Sequence, residues 1–319
     1  MKDRSAAHRA KMEREGIKMK KLFCMLLTLA LLVTAAAAAL AEDDVTIVVN
    51  LKTLSAEYWQ TVKSGCDEAA AELGISIEVQ GPAAETEIAE QVSQIETQLS
   101  QGPDAIVIAP DDNDAVIGAI GDYAGVVVFC DTDCTYENKV SFVGTSNEDA
   151  AYKGGVYGVA INGADTKAFI IYGQEGDNTS NLRKSGYEKA LAEAGLEPVA
   201  ELSGNNTADG AMRAMEDTLN AHPEINLVLC HNDDSASGAL TAIEAAGVEG
   251  ITVIGFNGDS FALDLIEQGK LQATIAQQPK LMGYQAVMTA YQAVKGEAVE
   301  LNDPVDVALI TAENVAEYK

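Results

Sequence analysis

Three histidines, one tryptophan and five cysteines are all that this chain of 319 residues offers to the chemistries that depend on them. A Ser-His-Asp triad would have to use His222, in an A-H-P segment at a helix end, or His231, and no G-x-S-x-G elbow presents a serine. No two glycines are spaced G-x-G and no G-x-x-x-x-G-K occurs, so the dinucleotide and P-loop phosphate cradles are excluded. Basic residues are scarce, with 21 Lys and Arg against 49 Asp and Glu and a net charge of -28. A body that acidic repels phosphate backbones, which argues against nucleic acid and anionic membrane surfaces as partners. The cysteines form no C-x-x-C pairs, so zinc is not expected. Asp111, Asp112 and Asp114 resemble a calcium loop in composition alone, without its sixth-position Gly and closing Glu. His231, Asp233 and Asp234 are neighbours at a turn and point in different directions, with no second histidine in view. Neither a metal nor a cofactor is expected.

What the chain does have begins with an N-terminal asymmetry. The first 41 residues hold 8 Lys or Arg against 3 acids. K-M-K-K at Lys18 to Lys21 leads into the uncharged run Leu22 to Leu40, which ends in A-L-A before Glu42. That is the grammar of a cleavable secretory signal peptide over residues 1–41, with Met19 a candidate true start. The same run is just long enough to span a membrane as an anchor, so a free and a tethered protein both remain open. Cys24 precedes the apolar run and is no lipoprotein acceptor. Cleavage leaves Cys66, Cys130, Cys134 and Cys230; their pairing cannot be read, although a turn could bridge Cys130 to Cys134.

With 47% hydrophobic and 22% charged residues the chain can bury a full core, and its length suggests two domains of roughly 100 to 200 residues each. From Val45, short β-branched runs alternate with segments of helical period. V-T-I-V-V-N, I-S-I-E-V-Q, D-A-I-V-I-A-P and G-V-V-V-F-C-D are separated by helices predicted over Glu57 to Leu73, Glu85 to Gln101 and Ala115 to Tyr123. The grammar restarts at Ala168, with helices predicted over Asn181 to Ala194, Ala208 to Ala221 and Ser235 to Ala246, and ends with a helix over Pro279 to Val294. Near-continuous apolar strands between helices mean parallel sheets covered on both faces, hence two doubly wound α/β units.

In open parallel sheets ligands bind outside the carboxyl ends of the strands. Those ends read Asn50, Pro110-Asp111-Asp112, Asp131, Gly173-Gln174, His231-Asn232-Asp233, Asn257 and Gln277. Any one of these is as readily a helix cap or loop residue. Together they favour amides and carboxylates, which pair with hydroxyls in forks, so a neutral, hydroxyl-rich ligand is the economical reading. Tyr58 and the lone Trp59 follow the first strand as a platform for sugar C-H faces, or Trp59 is core and Tyr58 alone is exposed. Arg183, at the start of a predicted helix, opposes the helix dipole and calls for a partner carboxylate or ligand oxygen.

With those residues in hand, the chain resembles the periplasmic sugar-binding proteins of type I, the family of ribose binders, from Val45 to about Ile310. The most specific pieces are Ala221 to Leu240, V-I-G-F-N-G from Val253, G-K-L-Q-A-T-I-A-Q-Q-P from Gly269, F-V-G-T-S-N from Phe142 and I-A-P-D-D-N-D-A-V from Ile108. The resemblance implies two lobes joined by a three-crossover hinge near Thr145-Ser146, Gln277-Gln278 and Asp306-Val307. An N-terminal lobe would span residues 42–145 plus 278–306, and a C-terminal lobe residues 146–277 plus 307–319. It matches the stacking aromatics to Tyr58 and Trp59, the first-lobe carboxylate to Asp131, the arginine to Arg183, the second-lobe amide to Asn232 and the hinge amide to Gln277. Departures fall at Ala56, for an amide; Thr132, for an arginine; Asn206, for an aromatic; and Asn257, for a carboxylate. Asp133 and Asn205 are the nearest replacements, Asp233 is expected to cap or brace, and His231 to support its turn without touching ligand. The implied activity is capture of a monosaccharide, a polyol or a small sugar derivative by a monomer, and delivery to an ABC permease. A sensory protein would use the same residues. A secreted hydrolase would need His231, and a transcriptional regulator a helix-turn-helix where this chain has its apolar run.

Overall fold

The computed structural model describes residues 45–319; the predicted signal peptide lies outside the described residues. The first half alternates β1 (Ile47–Asn50), α1 (Glu57–Leu73), β2 (Ile77–Gln80), α2 (Ile88–Ser100), β3 (Ala105–Ile108), α3 (Asn113–Ile120), β4 (Val126–Cys130) and β5 (Ser141–Gly144). After α4 (Asn147–Asn162) come β6 (Ala168–Tyr172), α5 (Asn178–Glu193), β7 (Ala200–Ser203), α6 (Ala208–Ala221), β8 (Leu227–Cys230), α7 (Asp233–Ala246), β9 (Thr252–Asn257), α8 (Ser260–Glu267) and β10 (Ala273–Ala276). The chain closes with α9 (Pro279–Val294), β11 (Asn302–Pro304) and β12 (Ala308–Thr311).

Two six-stranded sheets result, ordered β11-β5-β4-β3-β1-β2 and β12-β10-β9-β8-β6-β7. All neighbours are parallel except β12, which runs antiparallel to β10. The chain passes between the sheets three times: after β5, after β10, and between β11 and β12. Because successive side chains of a strand point to opposite faces, each apolar run feeds two cores. Val107, Val128 and Cys130 face α1 and α9, whereas Ile106, Ile108 and Phe129 face α2 and α3. In the second sheet Phe169, Ile171 and Val228 pack with α6 and α7, and Ile170, Leu229 and Phe256 with α4 and α5.

α9 is the element that ties the chain's end to the first lobe. A Cβ added at Gly65 would lie 1.9 Å from the Lys280 carbonyl oxygen, and one at Gly283 would lie 2.0 Å from that of Val62. Only glycine allows the α1 and α9 backbones to approach this closely.

Helix bounds and number differ from the sequence reading. The second helix starts at Ile88 rather than Glu85, leaving Glu85 in the loop after β2, and the fifth starts at Asn178, so Arg183 lies in its second turn. α4 and α8 have no counterpart among the predicted helices. α4 buries Ala150, Ala151, Gly154, Gly155 and Gly158, a seam of small residues with no large apolar stripe to announce it. All four thiols are free and buried, so the bridge permitted between Cys130 and Cys134 is not formed.

Candidate ligand-binding site between the lobes

The carboxyl ends of both sheets converge on a small cavity in the cleft between the lobes. The first lobe lines it with Lys52, Ala56, Tyr58, Trp59, Glu85 and Asp131, and the second with Thr179, Arg183, His231, Asn232, Asp234 and Asn257. The non-glycine residues with positive φ among those described are Asp131 (63°), Asn205 (49°), Asn206 (60°) and Asn257 (131°), all at or near the ends of strands that face this cleft. Backbone held in sparsely populated regions costs energy that the surrounding structure must offset, and it concentrates where side chains have to be aimed.

Tyr58 and Trp59 are both buried, ring centroids 5.1 Å apart and nearly perpendicular. The Tyr58 hydroxyl donates to Asp131 Oδ1 at 2.5 Å, and burial together with that carboxylate raises it well above its ordinary range. Thr132 Oγ1 donates to Asp131 Oδ2 at 2.8 Å, which fixes the carboxylate in the cavity wall. Trp59 Nε1 donates to Glu85 Oε1 at 2.7 Å. On the other side Arg183 donates from Nε to Asn147 Oδ1 and from Nη1 to the His231 carbonyl, both at 2.9 Å, with its guanidinium 3.7 Å from the Phe256 ring centroid. Two of its five N–H groups are thereby committed, and the planar fork is held in place by stacking.

Across the cleft the lobes meet through polar contacts. Lys52 Nζ and Asp177 Oδ2 form an ion pair at 2.6 Å with side chains 3% and 0% exposed. Burial alone would lower Lys52, but Asp177, Glu85, Asp131 and Asp111 outweigh it and hold the ammonium above its ordinary range. Burial would likewise raise Asp177, and the Lys52 ammonium, through its charge and its hydrogen bond, reverses it. Thr179 and Thr132 hydroxyls bond at 2.9 Å, Asn206 Nδ2 donates to Glu85 Oε2 at 2.7 Å, and Ser260 Oγ donates to Glu57 Oε2 at 2.9 Å.

This architecture and cleft have close counterparts. A family model described as the periplasmic binding protein domain matches residues 47–298. The ribose import binding protein RbsB of Escherichia coli K12 is 30% identical over 297 residues, covering 92% of this chain and 99% of that one. The chain belongs to the periplasmic binding protein family. An ABC transporter periplasmic solute-binding protein from Actinobacillus succinogenes 130z with bound D-allose has a TM-score of 0.78 at 28% identity, over 86% of this chain and 99% of that one. A carbohydrate transporter solute-binding protein from Agrobacterium radiobacter in complex with D-arabinose has a TM-score of 0.81 at 27% identity, over 87% and 98%.

Within this periplasmic binding protein the expected site residues separate by role. Tyr58, Trp59, Asp131, Arg183, Asn232 and Asn257 line the cavity together. Thr132 braces Asp131 and meets Thr179, while Asn206 bonds Glu85, Asp177 and the Gln174 N–H; neither forms the cavity wall. Gln277 joins Thr145 to Asn257 through its two amide atoms at 2.8 and 2.9 Å and sits at the hinge. Asp133, expected as the replacement acceptor, lies outside the cavity with its carboxylate bonded to Lys139. The cap at α7 belongs to Asn232, whose Oδ1 accepts from Ser235 N–H at 2.8 Å, whereas Asp233 braces Gly258, Asp259 and Thr274. Sequence reasoning missed Lys52, Glu85, Thr179 and Asp234 as lining residues, and His231, expected only to support its turn, also lines the cavity. Lys52 is two residues past a strand end and could have been found by listing one turn further; Glu85 was concealed by the helix drawn over it.

Proposed function

We propose that this protein captures a monosaccharide or sugar-like polyol between its two lobes outside the cytoplasm, as a monomer, and delivers it to an ABC permease. The observation that carries the reading is the cavity itself, where aromatic faces stand beside hydrogen-bonding groups contributed by both lobes. Aromatic rings take the C-H faces of a sugar, while carboxylate, amide and guanidinium groups take its hydroxyls in forks. A ligand that touches both walls stabilises only the closed arrangement, so binding shifts an open-closed equilibrium about the three crossings. The permease would then recognise the closed form. The relatives are binding proteins, and the site is likewise built to hold a ligand, not to convert it.

Lys52 supplies a second cation where Thr132 replaces an arginine, although it stands on a different loop, so the sugar need not be ribose. Titrating a panel of sugars and polyols while following the fluorescence of Trp59 and the melting temperature tests this, since a ligand of the native state alone raises that temperature. At least one sugar or polyol should move both signals. If none does and amino acids or peptides do, the reading is wrong.

A further inference from the structure

Beyond the cavity wall, at the Lys52 end of the cleft, several polar groups are more than nine-tenths buried yet lack protein partners. Asp111 is 2% exposed with neither carboxylate oxygen bonded, Gln174 is 7% exposed with neither amide atom bonded, and His231 is 4% exposed with Nδ1 unbonded. Lys52, 2% exposed, commits one N–H to Asp177 and has two others. These residues cluster. Lys52 and His231 both line the cavity, and both lie within electrostatic reach of Asp177; Lys52 also feels the charge of Asp111. Gln174 follows Gly173, where an added Cβ would fall 2.9 Å from the His231 ring and 2.2 Å from Asn206 Oδ1. Leaving buried polar groups unmade costs about 1–3 kcal/mol each, so a native structure that assembles several in one place has a use for them.

We propose that Lys52, Asp111, Gln174 and His231 form a second polar subsite of the cleft, which takes a neutral hydroxylated arm carried by the sugar ring. The proposal rests on the sugar-binding reading above and narrows its ligand class from a bare ring to a ring with an arm. Charge selects a neutral arm. Lys52 is already compensated by Asp177, so an incoming carboxylate would compete with a bonded partner, and an ammonium would face Lys52 directly. Burial, with Arg183, keeps the His231 ring uncharged, and burial pushes Asp111 up to about 10, where it is a carboxylic acid at neutral pH. A neutral acid, an amide and an imidazole each donate and accept, and a hydroxyl answers in both senses without bringing a charge.

The test uses matched sugars that differ by one hydroxymethyl arm, D-ribose against D-allose and D-xylose against D-glucose, titrated calorimetrically onto the full secreted chain. In at least one pair the hexose should bind about tenfold or more tighter, the scale on which a site built for a hydroxyl discriminates. Gln174→Leu and Asp111→Leu should each erase that advantage, bringing hexose and pentose within about twofold of each other, a difference of about 0.4 kcal/mol. Circular dichroism and melting identify which variants are folded, and either folded variant suffices. Equal affinity within every pair, or a hexose advantage that survives in the folded variants, overturns the subsite and leaves those groups to buried water. If no sugar or polyol binds the unmodified protein, the sugar reading falls first and the subsite with it.

Discussion

At the residue scale the site is an exercise in holding charge still. Asp131 accepts from Tyr58 and Thr132 and retains lone pairs directed to the cavity. Charge-assisted hydrogen bonds are worth about 1.5–3 kcal/mol, so Asp131→Asn should weaken the best sugar of the panel by about ten- to a hundredfold by calorimetry. An unchanged affinity would remove Asp131 from the site. Arg183→Ala is a poorer probe, because Arg183 also holds Asn147 and the His231 carbonyl and its loss would disturb the fold. Asp111 makes a prediction of its own. Its carboxyl stands near 3.8 when unfolded and at about 10 when folded, because of burial. Between those values the folded state keeps a proton that the unfolded state has lost, so stability falls as pH rises. From about pH 7 to about pH 8, above the range where His231 opposes the trend, Asp111→Asn should remove about 1.4 kcal/mol per pH unit of that decline in urea unfolding of the ligand-free protein. Parallel slopes for the two proteins would contradict it. Tyr58, Trp59 and Arg183 were singled out from sequence as aromatics after a strand end and an arginine near a helix start, although Arg183 stands in the second turn of α5. Lys52 was not, since its meaning depends on Asp177, a residue 125 positions away on the other lobe.

At the element scale, period and composition sufficed for most of the longer elements. α1, α6 and α9 were read with the bounds they have, and every apolar run expected to be a strand of the two sheets is one. α4 and α8 escaped, α4 because its buried face is almost wholly alanine and glycine. Small residues leave little periodic signal, yet they set how closely helices approach. Gly283→Ala puts a methyl against the Val62 carbonyl and must separate α1 from α9. Overpacking of this kind costs about 1–3 kcal/mol, so the variant should unfold at lower urea with an unchanged slope. A midpoint equal to that of the parent would show that the seam yields without cost.

At the scale of the whole molecule the two lobes are joined by three crossings and, across the cleft, by the ion pair of Lys52 with Asp177. Removing one partner of a buried pair strands the other, at a cost of about 3–5 kcal/mol, whereas replacing both by apolar residues is often neutral. Opening the cleft to water would avoid that cost by solvating the stranded charge. Lys52→Met should therefore increase the radius of gyration in small-angle scattering of the ligand-free protein, and Lys52→Met with Asp177→Leu should restore the compact value. An unchanged radius in the single variant would mean that the pair does not govern closure. Sequence by itself determined the strand and helix grammar, the two doubly wound units and the aromatic and polar strand ends, because each is written in neighbouring residues and the period of their burial. Only the tertiary structure decided which polar groups face one another across the cleft, that Asp133 turns away to Lys139, and that Asp111, Gln174 and His231 are buried with polar atoms unbonded. Those facts depend on the approach of two lobes, and distance across a cleft has no signature in local sequence.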